Sequence, residues 1–174
     1  MGMKKMLKII WILIINFVNV VPLLLLAQNS PKDYLKAHNN ARAEVGVKPL
    51  NWDPQLELHA RLFVEKYMAD CKKAFLDASL ANKYGQNSAY SAPPQSGAEA
   101  VARWVKHKHN YDYKSNSCID GTLNCLCYTQ VVWNSTNLLG CASVECQNYE
   151  ATLATCLYYP PQGKIPNQRP YKIH

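Results

Sequence analysis

The sequence lacks three features that would place it in common functional classes. It contains 7 glycines in 174 residues, and none of them belongs to a phosphate-binding loop. It has no internal repeat, and its basic residues form no clustered stripe along the chain. These absences argue against a nucleotide-binding loop, a repeat architecture and a nucleic-acid-binding surface. We therefore expect no nucleic-acid partner.

A long apolar run occupies the N-terminus. Lys4, Lys5 and Lys8 precede the apolar residues 9–26, and Ala27 supplies a small residue at a cleavage site. The run is nearly long enough to span a bilayer, but two asparagines and a proline interrupt it and no basic cluster follows it. We predict a cleaved signal peptide over residues 1–27, rather than a retained anchor, and a single domain over residues 28–174.

All seven cysteines follow this predicted signal peptide. A secreted chain with so many cysteines is expected to form a disulfide framework, and an odd number leaves one thiol over. Loss of the three lysines lowers the formal net charge from +7 to +4. This mild positive charge favours attraction to anionic membranes or cell walls. The expected location is extracellular.

Sequence signals predict three helices followed by three strands. The helices are expected to start after Ser30, Asp53 and Ser96 and to end near Gly46, Cys71 and Val105. The predicted strands are Thr129–Trp133, Leu139–Cys146 and Thr152–Tyr158, joined by turn-rich links as an antiparallel meander. Helices first and strands last indicate an α+β domain, and the proline-rich residues 160–170 form neither regular element. We expect the start of the first strand to line the functional site.

Six collinear motifs run through the predicted domain. They are Gln28-Asn-Ser-Pro-Lys-Asp-Tyr-Leu, His38-Asn-Asn-Ala-Arg42, Pro49-Leu-Asn-Trp-Asp53, Tyr128-Thr-Gln-Val-Val-Trp133, Leu139-Gly-Cys-Ala142 and Gln168-Arg-Pro-Tyr171. In this order they resemble the pathogenesis-related protein 1 group of plants, and the match covers essentially the whole predicted domain. This group belongs to the superfamily of cysteine-rich secretory, antigen 5 and pathogenesis-related 1 (CAP) proteins.

The resemblance implies an α–β–α sandwich with a small antiparallel sheet and three disulfides. The family pattern, and not the sequence by itself, pairs Cys71 with Cys146, Cys118 with Cys125, and Cys141 with Cys156. The first and third bridges are expected to tie the helices to the sheet. Cys127 is then the free thiol, and a monomer is expected.

The family's central cleft carries two histidines and two glutamates that can hold a divalent metal. In this chain the four positions all differ. Residues 72–85 contain no histidine, and the other three positions are occupied by Gln86, His107 and Cys127. We therefore expect no metal, no other cofactor and no catalytic residues.

Two interpretations of Cys127 and His107 remain open. In the first, they form a thiolate–imidazole pair, as a nucleophilic dyad or as half of a zinc site with His109 nearby. In the second, Cys127 fills space as a small apolar residue and His107 is a partly solvated cleft residue. Packing roles are also favoured for His38 and His59, which lie on predicted helices. No Ser-His-acid pattern is present, so we expect a protein that is not an enzyme.

The resemblance implies a secreted plant defence protein that binds sterols or related lipids and has an antimicrobial effect. Microbial membranes or cell-wall components are further expected partners. In the family, an aromatic loop after the third helix is associated with sterol, and the matching residues here include Tyr111 and Tyr113. The alternative for these tyrosines is that they cover the sheet edge.

The sequence leaves two further possibilities open. The family's C-terminal segment can be released as a signalling peptide, and the matching residues are 161–171. The preceding Pro160 makes a poor protease site, and Lys172 and its successors extend past the family's usual end. Asn134 lies in a sequon, Asn134-Ser-Thr136, and is a candidate for N-glycosylation.

Overall fold

The computed structural model describes residues 29–81, 83–119, 121–147, 150–163 and 167–173. The predicted signal peptide lies outside these residues. No helix of the described part is long and apolar enough to cross a membrane. The elements are, in chain order, helix α1 (Pro31–Glu44), strand β1 (Asn51–Trp52), helix α2 (Pro54–Lys66), a 3-10 helix (Cys71–Leu76), strand β2 (Gly85–Ser91), helix α3 (Gly97–Lys106), a second 3-10 helix (His107–Asn110), strands β3 (Tyr111–Asp112) and β4 (Ser117–Cys118), helix α4 (Cys125–Val131), and strands β5 (Leu138–Glu145) and β6 (Thr152–Tyr159).

The three predicted helix starts are present. The hydroxyl of Ser30 accepts the backbone N–H of Asp33 in a capping box that begins α1, and Ser96 does the same at α3. The carboxylate of Asp53 caps α2. The predicted end of α2 near Cys71 is wrong, because the helix stops at Lys66. The chain then turns so that Cys71 can reach Cys146.

The segment Thr129–Trp133 is not a strand, so this prediction is wrong. Residues Cys125–Val131 form α4, and the Val132 N–H donates to the Tyr128 carbonyl oxygen at 3.2 Å. The segment packs across the sheet face with all of its residues from 128 to 133 buried. A segment buried in this position has no strand partner, and a helix satisfies its own backbone groups. β-branched residues therefore indicated burial correctly and the element type incorrectly.

The main sheet has four strands in the order β1-β5-β6-β2. The predicted antiparallel pairing of β5 with β6 is present, and β2 adds to the other edge of β6. Strand β2 was missed because its sequence is polar. Its polar side chains have partners only in the folded protein: Asn87 donates to the Tyr158 hydroxyl, and Ser88 shares a hydrogen bond with Thr155 at 2.9 Å.

Helices cover both faces of this sheet. Leu153 and Leu157 of β6 face the apolar side of α2, whereas Cys156 and Tyr158 face α1, α3 and α4. Strand β6 is therefore buried on both sides, which explains its nearly unbroken apolar sequence. This arrangement is the α–β–α sandwich of an α+β domain.

Three disulfides hold the layers and loops. Cys71–Cys146 joins the first 3-10 helix to the end of β5, and Cys118–Cys125 joins β4 to α4. Cys141–Cys156 links neighbouring positions of β5 and β6, so it lies within the sheet. The expectation that this third bridge ties the helices to the sheet is therefore wrong. Cys127 is the free cysteine.

Arg42 organises the end of α1 through hydrogen bonds to backbone carbonyl groups. Its guanidinium is fully buried and donates to the carbonyl oxygens of Val131 and Trp133 at 2.9 and 3.0 Å. It also donates to the carbonyls of Lys48 and Thr136 at 2.7 and 2.9 Å. Burial lowers the pKa of Arg42 to about 10, so the group stays charged at neutral pH. Four carbonyl dipoles thus take the place of a counterion. Three of these hydrogen bonds, to residues 131, 133 and 136, also anchor the chain at and just after the end of α4.

Candidate lipid cleft

A cleft of about 260 Å³ lies between the β3–β4 hairpin, α4 and the C-terminal segment. Tyr111, Leu126 and Trp133 supply large apolar surfaces, and Thr129 and Gln162 supply polar groups. The remaining lining residues are Asn116, Ser117, Cys125, Gly163 and Gln168. An apolar cleft with a few polar groups is the usual character of a small-molecule site.

Thr129, where the first strand was predicted to begin, lines this cleft from helix α4. Cys125 and Leu126 line the wall four and three residues before Thr129, the spacings that place side chains on one side of a helix. The Cys118–Cys125 bridge holds the first of these residues against β4. The side of α4 that faces the cleft is therefore set by helix geometry together with the disulfide.

Tyr111 and Tyr113 have different positions relative to the cleft. Tyr111 lines it and is half-buried. Burial raises the pKa of Tyr111 to about 12, so its hydroxyl stays protonated and can donate a hydrogen bond. Tyr113 is absent from the lining and packs against Tyr171, with ring centroids 5.3 Å apart. The guanidinium of Arg169 lies 4.7 Å from the centre of the Tyr113 ring.

The C-terminal segment forms the opposite wall of the cleft. Gln162 accepts a hydrogen bond from the Thr129 hydroxyl at 2.7 Å and donates from Nε2 to the Leu126 carbonyl at 3.2 Å. The Gln168 carbonyl accepts from Asn116 at 3.3 Å. Sequence analysis did not identify Gln162, since a glutamine in a proline-rich tail carries no distinguishing pattern.

The three residues at the family's metal positions do not form a matching donor set. Gln86 is neutral, and its Nε2 donates to the Ser88 hydroxyl at 3.1 Å. No group of three or more His, Cys, Asp or Glu side chains in the described part of the chain could hold a metal ion. A divalent cation prefers anionic oxygen, thiolate or imidazole ligands. Gln86, His107 and Cys127 therefore do not fit the family's metal.

The environment of Cys127 favours the thiol over the thiolate. Its Sγ lies 2.8 Å from the Asn124 carbonyl and 3.7 Å from the Trp104 carbonyl, so the S–H group donates. Burial raises the pKa of Cys127 to about 11. A nucleophilic or metal-binding cysteine needs the opposite shift. This geometry supports the space-filling interpretation of Cys127.

A buried hydrogen-bond chain lies beside Cys127 and was not predicted from the sequence. Asn87 donates from Nδ2 to the Cys127 carbonyl at 2.9 Å and to the Tyr158 hydroxyl at 3.2 Å. The Tyr158 hydroxyl lies 2.8 Å from Nε2 of His38, and Nδ1 of His38 lies 2.8 Å from the Tyr34 carbonyl. Because the carbonyl can only accept, Nδ1 carries the proton and Nε2 accepts from Tyr158. His38 is fully buried, in agreement with its expected packing role.

Comparisons with known proteins agree with this architecture. Residues 35–158 match the model of the cysteine-rich secretory protein family, CAP. The chain is 40% identical over 163 residues to pathogenesis-related protein 1 of Arabidopsis thaliana, covering 91% of this chain and 94% of that protein. It is 43% identical over 145 residues to the basic form of pathogenesis-related protein 1 of Nicotiana tabacum, covering 83% and 77%.

A solved structure shows the same fold at lower sequence identity. Venom allergen-like protein 4 of Schistosoma mansoni superposes with a TM-score of 0.63 at 24% identity, covering 82% of this chain and 94% of that one. The sandwich, its three disulfides and the family match over most of its length lead to one conclusion. The chain belongs to the CAP family of cysteine-rich secretory proteins and, within it, is similar to the plant pathogenesis-related proteins 1.

Proposed function

We propose that this protein is a secreted plant defence protein that binds a sterol or related lipid in the cleft beside α4 and acts by binding, without catalysis. The observation that carries the proposal is the cleft itself, with its tyrosine, leucine and tryptophan walls and its Thr129–Gln162 hydrogen bond. A sterol has a rigid apolar skeleton and one hydroxyl group, which suits such walls and such a polar pair. Sequestering sterol would harm microbes that must acquire it from a host.

The volume of the cleft limits how the ligand would bind. At about 260 Å³ it is slightly smaller than the roughly 300–1,000 Å³ of typical ligand pockets. It therefore suits part of a sterol, with the rest of the molecule at the open side. The proposal gives the C-terminal segment a role as a wall of the site, so release of a peptide after Pro160 would remove that wall.

Binding of a fluorescent sterol to the secreted, oxidised protein tests this function. We expect saturable binding that Leu126→Gln weakens about tenfold, because a polar side chain replaces an apolar contact in the cleft. Leu58→Gln is the matched control, since Leu58 is 44% exposed on α2 and Leu126 is 41% exposed. The control should bind like the wild type. Absence of saturable binding, or equal effects of the two substitutions, would contradict the proposal.

The same titration, repeated with zinc and with a chelator, tests the metal positions. We expect binding that is independent of zinc, because Gln86, His107 and Cys127 do not form a matching donor set. Zinc-dependent binding that Cys127→Ser abolishes would instead mean that Cys127 and His107 form a rebuilt metal site.

A further inference from the structure

The loop closed by Cys118–Cys125 exposes apolar side chains that a folded protein normally covers. Leu123 is 76% exposed and Ile119 is 66% exposed. Together with Ile173, at 67%, they are the three most exposed large apolar residues of the described chain. Single exposed apolar residues are common, but a cluster of them marks an interaction surface.

Each of these three residues is close in the chain to residues of the cleft. Ile119 follows the lining residue Ser117 by two positions. The Leu126 N–H donates to the Leu123 carbonyl at 3.0 Å, and Leu126 itself lines the cleft. Ile173 follows Tyr171, whose ring lies 6.5 Å from that of the cleft residue Tyr111. The exposed apolar residues of the disulfide loop and of the C-terminus thus lie close in the chain to residues of the cleft.

The disulfide loop cannot readily turn its apolar residues inward. The disulfide joins residues only seven positions apart. The Ile119 N–H donates to the Asn110 carbonyl at 2.8 Å, and Tyr111 pairs with Cys118 in the β3–β4 hairpin. Because the loop is short and its two ends are held, little conformational freedom is left to lose when its apolar residues dock.

The segments that flank these residues in the chain carry more positive than negative charge. Residues 106–120 and 167–173 contain five basic and two acidic residues, and of the two acids Asp120 lies outside the described residues. Glu44 is paired with Lys108 at 3.3 Å, and the Asp112 carboxylate accepts from the Lys114 and Ser115 N–H groups. The five basic residues are Lys106, Lys108, Lys114, Arg169 and Lys172.

We infer that Ile119, Leu123 and Ile173 form a docking edge that binds an anionic lipid bilayer and places the cleft against it. Apolar tips enter the interface, and the surrounding lysines face the lipid phosphates and carboxylates. The lipid then passes between bilayer and cleft without crossing bulk water. This inference rests on the proposed lipid-binding function.

Co-sedimentation with vesicles tests the docking edge. The probes are vesicles of phosphatidylcholine with and without phosphatidylserine. We expect the wild type to bind the anionic vesicles, and Ile119→Asn/Leu123→Gln to bind them at least about tenfold more weakly. Leu58→Gln/Leu62→Gln is the matched control, because it removes two exposed leucines from α2, at 44% and 56% exposure. Circular dichroism and intact disulfides establish that each variant is folded.

The outcomes separate docking from cleft binding. The docking edge is supported when the double variant loses vesicle binding but still binds sterol presented by cyclodextrin, and takes sterol from vesicles more slowly than the control. Equal vesicle binding by wild type and double variant, or none by either, overturns it. Concentration-dependent self-association that the double variant abolishes, without vesicle binding, also overturns it and assigns the edge to a second copy. Failure of the cyclodextrin experiment in the wild type refutes the cleft function itself.

Discussion

At the scale of single residues, His38 shows how burial couples one side chain to stability. Its ring is enclosed between the Tyr34 carbonyl and the Tyr158 hydroxyl, and Arg42 adds a positive charge four residues away. Burial, the largest effect, lowers the pKa of His38 to about 4, whereas an unfolded chain has a histidine pKa of about 6.5. The folded protein therefore holds this histidine neutral.

The lowered pKa predicts a loss of stability in mild acid. Between the two pKa values the unfolded state binds a proton that the folded state does not, so stability falls as pH falls from about 6.5 towards 4. The stability that comes from keeping His38 neutral is fully present above the pKa of the unfolded chain. We expect about 2 kcal/mol of it to be lost between about pH 7 and pH 5. The free energy of unfolding, measured with urea at several pH values across this range, should depend less on pH for His38→Gln than for the wild type. His59→Gln, which replaces a half-exposed histidine of α2, is the control, and equal slopes would refute the assignment.

Asn134, the residue that would carry an N-linked glycan, is exposed, whereas the threonine of its sequon is buried. Thr136 is 1% exposed, and its hydroxyl donates to the Pro160 carbonyl at 2.7 Å. Recognition of Thr136 thus requires the chain before it folds. We expect a glycan on the protein secreted from a eukaryotic host, seen as a mass shift on enzymatic deglycosylation that Asn134→Gln abolishes. Asn137→Gln, which lies outside the sequon, should keep the shift, and an unshifted wild type would contradict the prediction.

At the scale of elements, α2 packs closely on β5 because residue 140 is a glycine and has no side chain. A Cβ on Gly140 would lie 2.1 Å from the Glu57 backbone nitrogen and 2.5 Å from the Leu56 Cβ. Backbone atoms cannot move aside as a flexible side chain can, so the helix and strand depend on this glycine for their close approach. The same contact explains why β5 has a glycine in its interior, where glycine is otherwise unfavourable.

Gly140→Ala should separate this helix from the strand. We expect a loss of about 3 kcal/mol in the free energy of unfolding, measured with denaturant, from overpacking. Gly46→Ala is the comparison, because Gly46 has a φ of +69° and open space around its Cβ position. That variant should lose only about 1 kcal/mol, from backbone strain alone. If Gly140→Ala costs no more than Gly46→Ala, the close-packing explanation is wrong.

At the scale of the whole molecule, the three disulfides restrict the unfolded chain by different amounts. Cys71–Cys146 spans 75 residues, Cys141–Cys156 spans 15 and Cys118–Cys125 spans 7. Loop-closure entropy grows slowly with the length of the closed loop. The longest bridge should therefore stabilise the fold most, and the shortest should mainly shape the hairpin beside the cleft.

Paired substitutions should reveal this order. We expect Cys71→Ala/Cys146→Ala to lower the unfolding free energy by about 4.5 kcal/mol and Cys118→Ala/Cys125→Ala by about 2.4 kcal/mol. Denaturant unfolding of each double variant measures both losses. Cys127→Ala is the control for cysteine replacement without loss of a bridge. The reverse order would show that native packing around the bridges outweighs chain entropy.

Local sequence signals predicted much of the architecture. Ser30, Asp53 and Ser96 began helices because a side-chain cap and its backbone partner are neighbours in sequence. The β5–β6 pair followed from two apolar segments with a short link, and the family motifs implied the fold and the disulfide pairs. In each case the information lies within a few residues or in a motif of several residues.

Only the tertiary structure decided the rest, because the determining contacts join residues far apart in sequence. Residues 129–133 became mainly helical because their place across the sheet leaves no strand partner. Strand β2 is stabilised by Tyr158 and Thr155, about seventy residues later. The cleft arises where Tyr111, α4 and Gln162 meet, and the Cys127 thiol is kept protonated by the burial that this packing creates. Short-range signals thus determined most elements, and long-range packing determined the site.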